Sequence, residues 1–265
     1  MTTAPIGVFD SGAGGLSILN SIHDLLPTEN LLYVADSAYA PYGPKGEAFI
    51  QARCETIMQF FLQHEVKAVV LACNTATAAA IAELRQKYSL PLIGVEPAIK
   101  PAAGQSRSGV VGVLATSGTI ASDKFISLQN QFSAQVKIIT RACPGLVELI
   151  ERVELDEVAT KKLLHGFISP MLAEGADTLV LGCTHYSLIR DFIQQIAGPD
   201  VLIVDAGSAV ARELERRLTA LAVVNPGAVV GRVKFYTSGD TVYQQRLLQK
   251  YWQHFLTVAP LLINS

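Results

Sequence analysis

The stretch LACNTATAAA, residues 71–80, decides the fold class. It begins inside an apolar run, residues 69–72, that is typical of a buried strand, and this run leads directly into Cys73. Asn74 and Thr75 come next, and both are residue types that cap helices. Apolar positions with helical spacing follow at Ile81, Leu84 and Tyr88. The sequence therefore predicts a strand-to-helix corner that places Cys73 beside a helix N-terminus.

Short apolar runs alternate with helical patterns along the rest of the chain. The strand candidates are IGVF from residue 6, LLYVA from 31, AVVLA from 68, LIGV from 92, VVGVLA from 110, VKIIT from 136, TLVLG from 178 and VLIVD from 201. This alternation predicts an α/β fold with parallel sheets, and continuous apolar strands indicate sheets covered on both faces.

A faint internal repeat divides the chain. KAVVLACNTATAAA (67–80) is similar to DTLVLGCTHYSLIR (177–190), and IGVFDSGAGG (6–15) is similar to VGVLATSGTI (111–120). We therefore expect two similar α/β domains, one formed by residues 1–97 plus 207–265 and the other by residues 98–206. The stretch 99–109, rich in Gly, Ser and Pro, is the best candidate for the boundary.

Composition excludes several classes of protein. Of 265 residues 50% are hydrophobic and 17% are charged, which is enough apolar material for a large core. The net charge of −2 favours neither nucleic acid nor an anionic membrane, and no apolar run approaches the roughly 18 residues that span a bilayer. The N-terminus resembles no signal peptide, so we expect a cytoplasmic protein whose four cysteines are free thiols.

Four predicted strands end in residues that carry chemistry. These corners are Asp10 and Ser11, residues 73–75, residues 116–119, and residues 183–185. Ligands bind at the carboxyl ends of parallel strands, and a helix N-terminus or a nearby cation lowers the pKa of a thiol. Two thiols that face each other across a substrate could invert a stereocentre, because one removes a proton from carbon and the other returns a proton on the opposite face. Asp10 could sit beside Cys73, and His185, two residues after Cys183, could shuttle or orient a proton.

Four motifs, in this order, resemble the glutamate racemase family of the cofactor-independent aspartate/glutamate racemase superfamily: FDSGAGG, YAPYGPKG, ACNTATAAA and LGCTHY. The resemblance implies two α/β domains with pseudo-twofold symmetry, a site in the cleft between them and no cofactor. It implies that Cys73 acts on D-glutamate and Cys183 on L-glutamate, with Asp10 and His185 as helpers. It also implies a homodimer that supplies D-glutamate for peptidoglycan synthesis.

The same resemblance implies a set of substrate-binding positions. They are Asp10, Ser11, Tyr42, Gly43, Asn74, Thr75, Thr119, Thr184 and His185. The family carries a further functional glutamate after a Cys-Pro loop. Spacing from Cys143 favours Glu151 for this role, with Glu148 and Glu154 as alternatives.

Other functions compete with racemisation. Cys183 and His185 could form the nucleophile and base of a thiol hydrolase, in which Cys73 has no role. Two α/β lobes around a cleft are also typical of solute-binding modules. Aspartate is the alternative substrate, since one methylene alone allows a discrimination of only about 10–200-fold. The loop DSGAGG could be merely a tight turn that needs glycines at positive φ.

Overall fold

The computed structural model describes residues 2–262 of the chain. The strands are β1 Ile6–Asp10, β2 Leu31–Ala35, β3 Ala68–Leu71, β4 Leu92–Gly94, β5 Val110–Ala115, β6 Lys137–Ala142, β7 Thr178–Leu181, β8 Leu202–Val204, β9 Val233–Thr237 and β10 Val258–Pro260. The helices are α1 Leu16–Leu25, α2 Glu47–Gln63, α3 Asn74–Lys87, α4 Ile99–Gln105, α5 Ser117–Ile120, α6 Asp123–Phe132, α7 Leu146–Ile150, α8 Glu157–Ala173, α9 Thr184–Ser187, α10 Arg190–Ala197, α11 Gly207–Ala220 and α12 Thr241–Gln249, with a 3₁₀ helix at Ser37–Tyr39.

The strands form two parallel sheets, and each sheet is the centre of one α/β domain. The six-stranded domain has the order β10-β9-β2-β1-β3-β4, and the four-stranded domain has the order β6-β5-β7-β8. The segment β2-β1-β3-β4 repeats as β6-β5-β7-β8, so β3 and β7 hold equivalent positions. The internal repeat in the sequence is therefore a repeat of topology.

Both sheets are covered on both faces, as the continuous apolar strands predict. In β1, Ile6 and Val8 point into one core cluster while Phe9 points into another. Two separate clusters cover the faces of the four-stranded sheet in the same way. The predicted fold class, two similar parallel α/β domains, is confirmed.

All eight predicted strands are present, and the sequence pattern missed β9 and β10. Both lie at the edge of the six-stranded sheet, where β9 pairs with β2 and β10 pairs with β9. The last strand contains Pro260, a residue that edge strands tolerate because their outer N–H groups need no ladder partner. The expected boundary stretch is partly helical: α4 packs on β5 and β7 of the four-stranded domain.

A buried ion pair ties the returning C-terminal part of the chain to the six-stranded domain. Lys67 Nζ lies 2.5 Å from Glu29 Oε2, and both side chains are almost fully buried. The same ammonium group donates to the carbonyl oxygen of Val223, while Glu29 Oε1 accepts from Asn225 N–H. Buried charges need such saturation, because an unpaired one costs several kcal/mol.

In the described part of the chain, no helix has the length and apolar character needed to cross a membrane.

Candidate active site

The equivalent strands β3 and β7 each deliver a cysteine to a helix N-terminus. We call residues 73–75 the Cys73 corner and residues 183–185 the Cys183 corner. Cys73 precedes α3 and Cys183 precedes α9, and each cysteine is 6% exposed. The main chain at both cysteines is extended, since each is the last non-helical residue before its helix. All four cysteines of the chain are free thiols, as the sequence predicts.

The Cys73 corner is a hydrogen-bonded thiol next to a buried carboxylate. The sulfur accepts the N–H of Ala76 at 3.5 Å and lies 3.8 Å from the hydroxyl of Ser11. Asp10, at the end of β1, is fully buried and accepts the N–H of Gly12 at 2.7 Å and the hydroxyl of Thr184 at 2.8 Å. Because Thr184 belongs to the Cys183 corner, this last bond joins the two domains.

The pKa of the Cys73 thiol is raised to about 12, by burial first and by the Asp10 carboxylate second. The helix N-terminus, which the sequence pointed to as a feature that lowers a thiol pKa, does not decide the net shift here. The single N–H of Ala76 does favour the thiolate, but desolvation outweighs it in this buried corner. Burial also raises the pKa of Asp10 above its usual value, against the opposing effect of His185.

The Cys183 corner has a histidine in place of the carboxylate. His185 Nδ1 lies 3.8 Å from Cys183 Sγ, and Nε2 lies 2.6 Å from Glu151 Oε1. Burial alone would lower the pKa of His185, but its bonds to Cys183 and Glu151 and the charge of Asp10 raise the pKa well above the usual value. The raised pKa favours the protonated ring, in which both nitrogens donate.

Glu151 is the glutamate that reaches this corner. Its Oε1 atom accepts both from His185 and from the N–H of Ala13, the latter at 2.6 Å, while Glu148 and Glu154 are exposed. Ala13 lies in the DSGAGG loop after β1, so Glu151 also bridges the two domains. The spacing from Cys143 favours Glu151 in the sequence, and the contact that distinguishes it from the other two glutamates depends on how the loop after α7 meets the other domain.

The glycines of the DSGAGG loop leave no room for a side chain between the loop and its neighbours. None of Gly12, Gly14 and Gly15 has a positive φ, so the tight-turn explanation is wrong. A Cβ atom on Gly12 would run into Glu151 Oε1, and one on Gly14 would run into His185 Nδ1. This loop of the six-stranded domain therefore packs directly on the groups that surround Cys183.

Hydroxyl groups from both domains meet beside the thiols. The Oγ1 atom of Thr75 lies 3.0 Å from that of Thr116 and 3.4 Å from that of Thr119. A cavity of about 670 Å³ is lined by Thr75 and Gly118 among others, but neither Cys73 nor Cys183 is among its lining residues. The sequence placed residues 116–119 at a strand end but did not assign Thr116 to the substrate.

Two other expected binding residues differ in what they offer. Asn74 is 5% exposed, and within residues 2–262 its Nδ2 atom is buried with no hydrogen-bond partner. Tyr42 is also buried, but its hydroxyl donates to Asp36 Oδ2, which also pairs with Arg53. Its hydroxyl is thus engaged by Asp36, while the neighbouring Gly43 lies against Thr116 of the other domain.

The repeated α/β fold and the paired thiol corners are those of an isomerase. More narrowly, the chain belongs to the Asp/Glu/Hydantoin racemase family, whose sequence profile matches residues 6–214.

Named relatives cover almost the whole chain. It is 52% identical over 250 residues to a glutamate racemase of Stutzerimonas stutzeri strain A1501, which is 94% of each chain. It is similar to the crystal structure of a glutamate racemase isoform from Bacillus anthracis, with a TM-score of 0.90 and 31% identity over 98% of each chain. A glutamate racemase from Francisella tularensis, solved in complex with D-glutamate, has a TM-score of 0.83 and 27% identity, over 98% of this chain and 99% of that one.

Proposed function

We propose that this protein is a cofactor-independent glutamate racemase that uses Cys73 and Cys183 as its two bases. One observation carries the proposal: equivalent strands of two repeated domains each deliver a buried thiol, and the bonds Thr184–Asp10 and Ala13–Glu151 join the two domains. The similarity to proteins named glutamate racemase supports glutamate over aspartate as the substrate.

The proposed reaction moves one proton onto each face of the α-carbon. With L-glutamate, the thiolate of Cys183 takes the α-proton, and the electron pair is left on the α-carbon and its carboxylate. The thiol of Cys73 then gives its proton to the opposite face, which leaves D-glutamate, a Cys183 thiol and a Cys73 thiolate. The reverse reaction uses the same groups in the opposite order.

The raised pKa values fit this starting state. Cys73, with a pKa of about 12, holds its proton and is ready to donate it. Beside Cys183, the imidazolium of His185 places a positive charge 3.8 Å from the sulfur, and such a charge stabilises a thiolate. When D-glutamate is the substrate, Asp10 takes the proton of the Cys73 thiol and His185 gives one to Cys183, so that the Cys73 thiolate removes the α-proton and the Cys183 thiol returns one.

Small donors are proposed to hold the substrate and its developing charge. Nδ2 of Asn74 is a buried donor without a partner in the described structure, and leaving it unpaired costs about 1–3 kcal/mol. A substrate carboxylate supplies the missing acceptor. The full proposed set is Asp10, Ser11, Tyr42, Gly43, Asn74, Thr75, Thr119, Thr184 and His185, with Tyr42 acting through its main chain because its hydroxyl bonds Asp36. Donors fixed in advance stabilise charge that forms during the reaction.

The proposal includes four finer properties. The first domain consists of residues 1–97 plus 207–265 and the second of residues 98–206, which agrees with α11 packing on α1. The enzyme is cytoplasmic, forms a homodimer and supplies D-glutamate for peptidoglycan. Light scattering of the purified protein tests the dimer, and rescue of a D-glutamate auxotroph tests the supply role.

The decisive experiment follows the α-proton of L-glutamate by NMR in D₂O, with L-aspartate in a parallel tube. We expect the glutamate signal to disappear as optical rotation decays to zero, and we expect neither change with Cys73→Ala or Cys183→Ala. Circular dichroism confirms that both variants are folded. Substantial racemisation by either alanine variant would contradict the two-base mechanism. Exchange of the α-proton in aspartate alone would show that aspartate, and not glutamate, is the substrate.

A second candidate is a thiol hydrolase, because Cys183, His185 and Glu151 lie in the order nucleophile, base and orienting carboxylate. This function leaves the matching position of Cys73 unexplained. Mass spectrometry after incubation with activated esters and amides tests it. A covalent acyl adduct on Cys183, formed equally in the Cys73→Ala variant, would favour the hydrolase.

A further inference from the structure

The carboxylate of Glu151 extends from a loop that contacts both domains. The loop, residues 151–156, connects α7 to α8, and α7 has just five residues. Main-chain bonds from Glu151 N–H to Val147 and from Arg152 N–H to Leu149 continue α7 for one turn. The carbonyl groups at this helix end have no partner within the helix, so they need donors from elsewhere.

Two side chains of the six-stranded domain supply these donors. The hydroxyl of Tyr243 donates to the carbonyl oxygen of Glu151 at 2.9 Å, and Nζ of Lys250 donates to that of Arg152 at 3.2 Å. Tyr243 lies in the first turn of α12, and Lys250 caps its C-terminus. Seven residues make about two helical turns, so both side chains leave the same face of the helix.

The helix that carries these donors is firmly fixed. Asp240 caps its N-terminus through a 2.7 Å bond from the N–H of Tyr243, and Leu247 and Leu248 are fully buried in the core of the six-stranded domain. Val153 of the Glu151 loop packs against the same core. The loop is thus attached to the opposite domain through its main chain, its carboxylate and one apolar side chain.

We propose that Tyr243 and Lys250 are positioning residues that hold the Glu151 loop so that its carboxylate orients His185 against Cys183. The inference rests on the proposed racemase function and extends it to two residues that lie outside every motif of the sequence. Both are proposed to act on the Cys183 half of the site, because Tyr243 bonds Glu151, the residue that holds His185, and Lys250 bonds the adjacent Arg152. The bonds of the Cys73 sulfur go to Ala76 and Ser11, and those of the Asp10 carboxylate described above come from Gly12 and Thr184, all outside α12.

The test compares Tyr243→Phe and Lys250→Met with matched controls. Tyr88→Phe removes a hydroxyl that bonds Glu55, and Lys137→Met removes an ammonium group that pairs with Glu174. Neither control residue contacts the loop or the thiols. Each enzyme is assayed with L- and with D-glutamate, protonated or deuterated at the α-carbon, and its unfolding temperature is measured.

Loss of one hydrogen bond from a positioned loop is expected to lower kcat by about 5- to 30-fold in Tyr243→Phe, with a smaller loss in Lys250→Met and none in the controls. The decisive readout is the isotope effect on kcat/KM. If proton transfer at Cys183 is slowed, removal of the α-proton from L-glutamate limits the rate to a greater extent. The deuterium isotope effect on kcat/KM with L-glutamate therefore rises. With D-glutamate the slow step becomes the return of a proton by Cys183, so the isotope effect falls.

Each outcome separates the two proposals. Opposite changes in the two isotope effects support a positioning role in the Cys183 half. An equal loss in both directions with unchanged isotope effects, or full activity of both variants, overturns the inference while the racemase proposal stands. A wild-type protein that leaves the α-proton of both enantiomers in place overturns the proposed function, and the positioning role falls with it.

Discussion

The Cys73 corner and the Cys183 corner have the same place in the fold but different chemistry. Both sulfurs follow the equivalent strands β3 and β7, and both are 6% exposed. Cys73 has a carboxylate neighbour, Asp10, and a pKa raised to about 12. Cys183 has an imidazolium neighbour, His185, backed by Glu151. Duplicated backbones have thus acquired neighbours of opposite charge.

This difference suits a reaction that needs one thiol and one thiolate at the same time. Two identical corners would give both sulfurs the same preference for a proton, and one of them would then start in the wrong state. The Asp10 carboxylate is among the causes that raise the pKa of Cys73, and the neighbour of the other sulfur is instead a histidine whose own pKa is raised. The helpers, rather than the cysteines, therefore distinguish the two halves of the site.

The largest effect is expected from removing the two helpers separately. Asp10→Asn and His185→Asn should each lower kcat by about 10²–10⁴-fold, which is the usual contribution of a positioned acid or base. Because Asp10 serves Cys73, its loss should raise the isotope effect with D-glutamate and lower it with L-glutamate. His185→Asn should give the reverse pattern.

Exposed residues of the same types provide the controls, with Asp200→Asn and His165→Asn expected to keep full activity. The same isotope pattern in both helper variants would contradict the division of the site into two halves.

The next effect concerns the reactivity of the two sulfurs toward iodoacetamide. Alkylation requires the thiolate, and a pKa of about 12 leaves Cys73 with very little thiolate at pH 8. We expect Cys183 to be labelled more than about tenfold faster than Cys73, since equal exposure removes access as an explanation. The Cys73 rate should climb as pH rises toward 12. Mass spectrometry of the two peptides measures both rates.

Cys54 and Cys143 are internal references for this experiment. They are 1% and 3% exposed, and burial raises the pKa of each, to about 12 for Cys143. Both should remain unlabelled while the protein is folded. Faster labelling of Cys73 than of Cys183 would contradict the proposed difference in thiolate reactivity between the two corners.

Much of this site is readable from sequence because its chemistry lies directly after strands. Asp10, Cys73, Cys183 and His185 each follow an apolar run within a few residues, and parallel strands bring their carboxyl ends to one edge. Pattern and topology together thus place these residues in one region. The prediction of the eight strands is confirmed for a related reason, since a buried parallel strand has a continuous apolar composition.

The rest depends on contacts between segments that are far apart in the chain. Spacing from Cys143 favours Glu151 but leaves Glu148 and Glu154 as alternatives, because the contact that distinguishes Glu151 is made with the other domain. Tyr243 lies 92 residues from the carbonyl that it binds. The raised pKa of Cys73 also escapes sequence reasoning, since it comes from the degree of burial that only the packed domains create.

The smallest of these effects tests how the six-stranded domain shapes the Cys183 corner. A methyl group on Gly14 would run into Nδ1 of His185 and lie 2.7 Å from its main-chain nitrogen. The ring is 2% exposed and has little room to move, so Gly14→Ala should shift Nδ1 away from Cys183. We expect kcat to fall by about 10- to 100-fold, since misplacement by 1 Å can cost 10²-fold. The isotope effects should change in the same directions as in His185→Asn.

The matched control is Gly166→Ala, in the exposed part of α8, where an added methyl group meets open space. It should keep full activity and gain up to about 1 kcal/mol of stability, because alanine favours a helix over glycine. Gly14→Ala with full activity would mean that His185 tolerates displacement, and its role would then be only to supply charge. Gly14→Ala with the Asp10→Asn isotope pattern would mean that the DSGAGG loop acts through Cys73 instead, because Asp10 begins that loop.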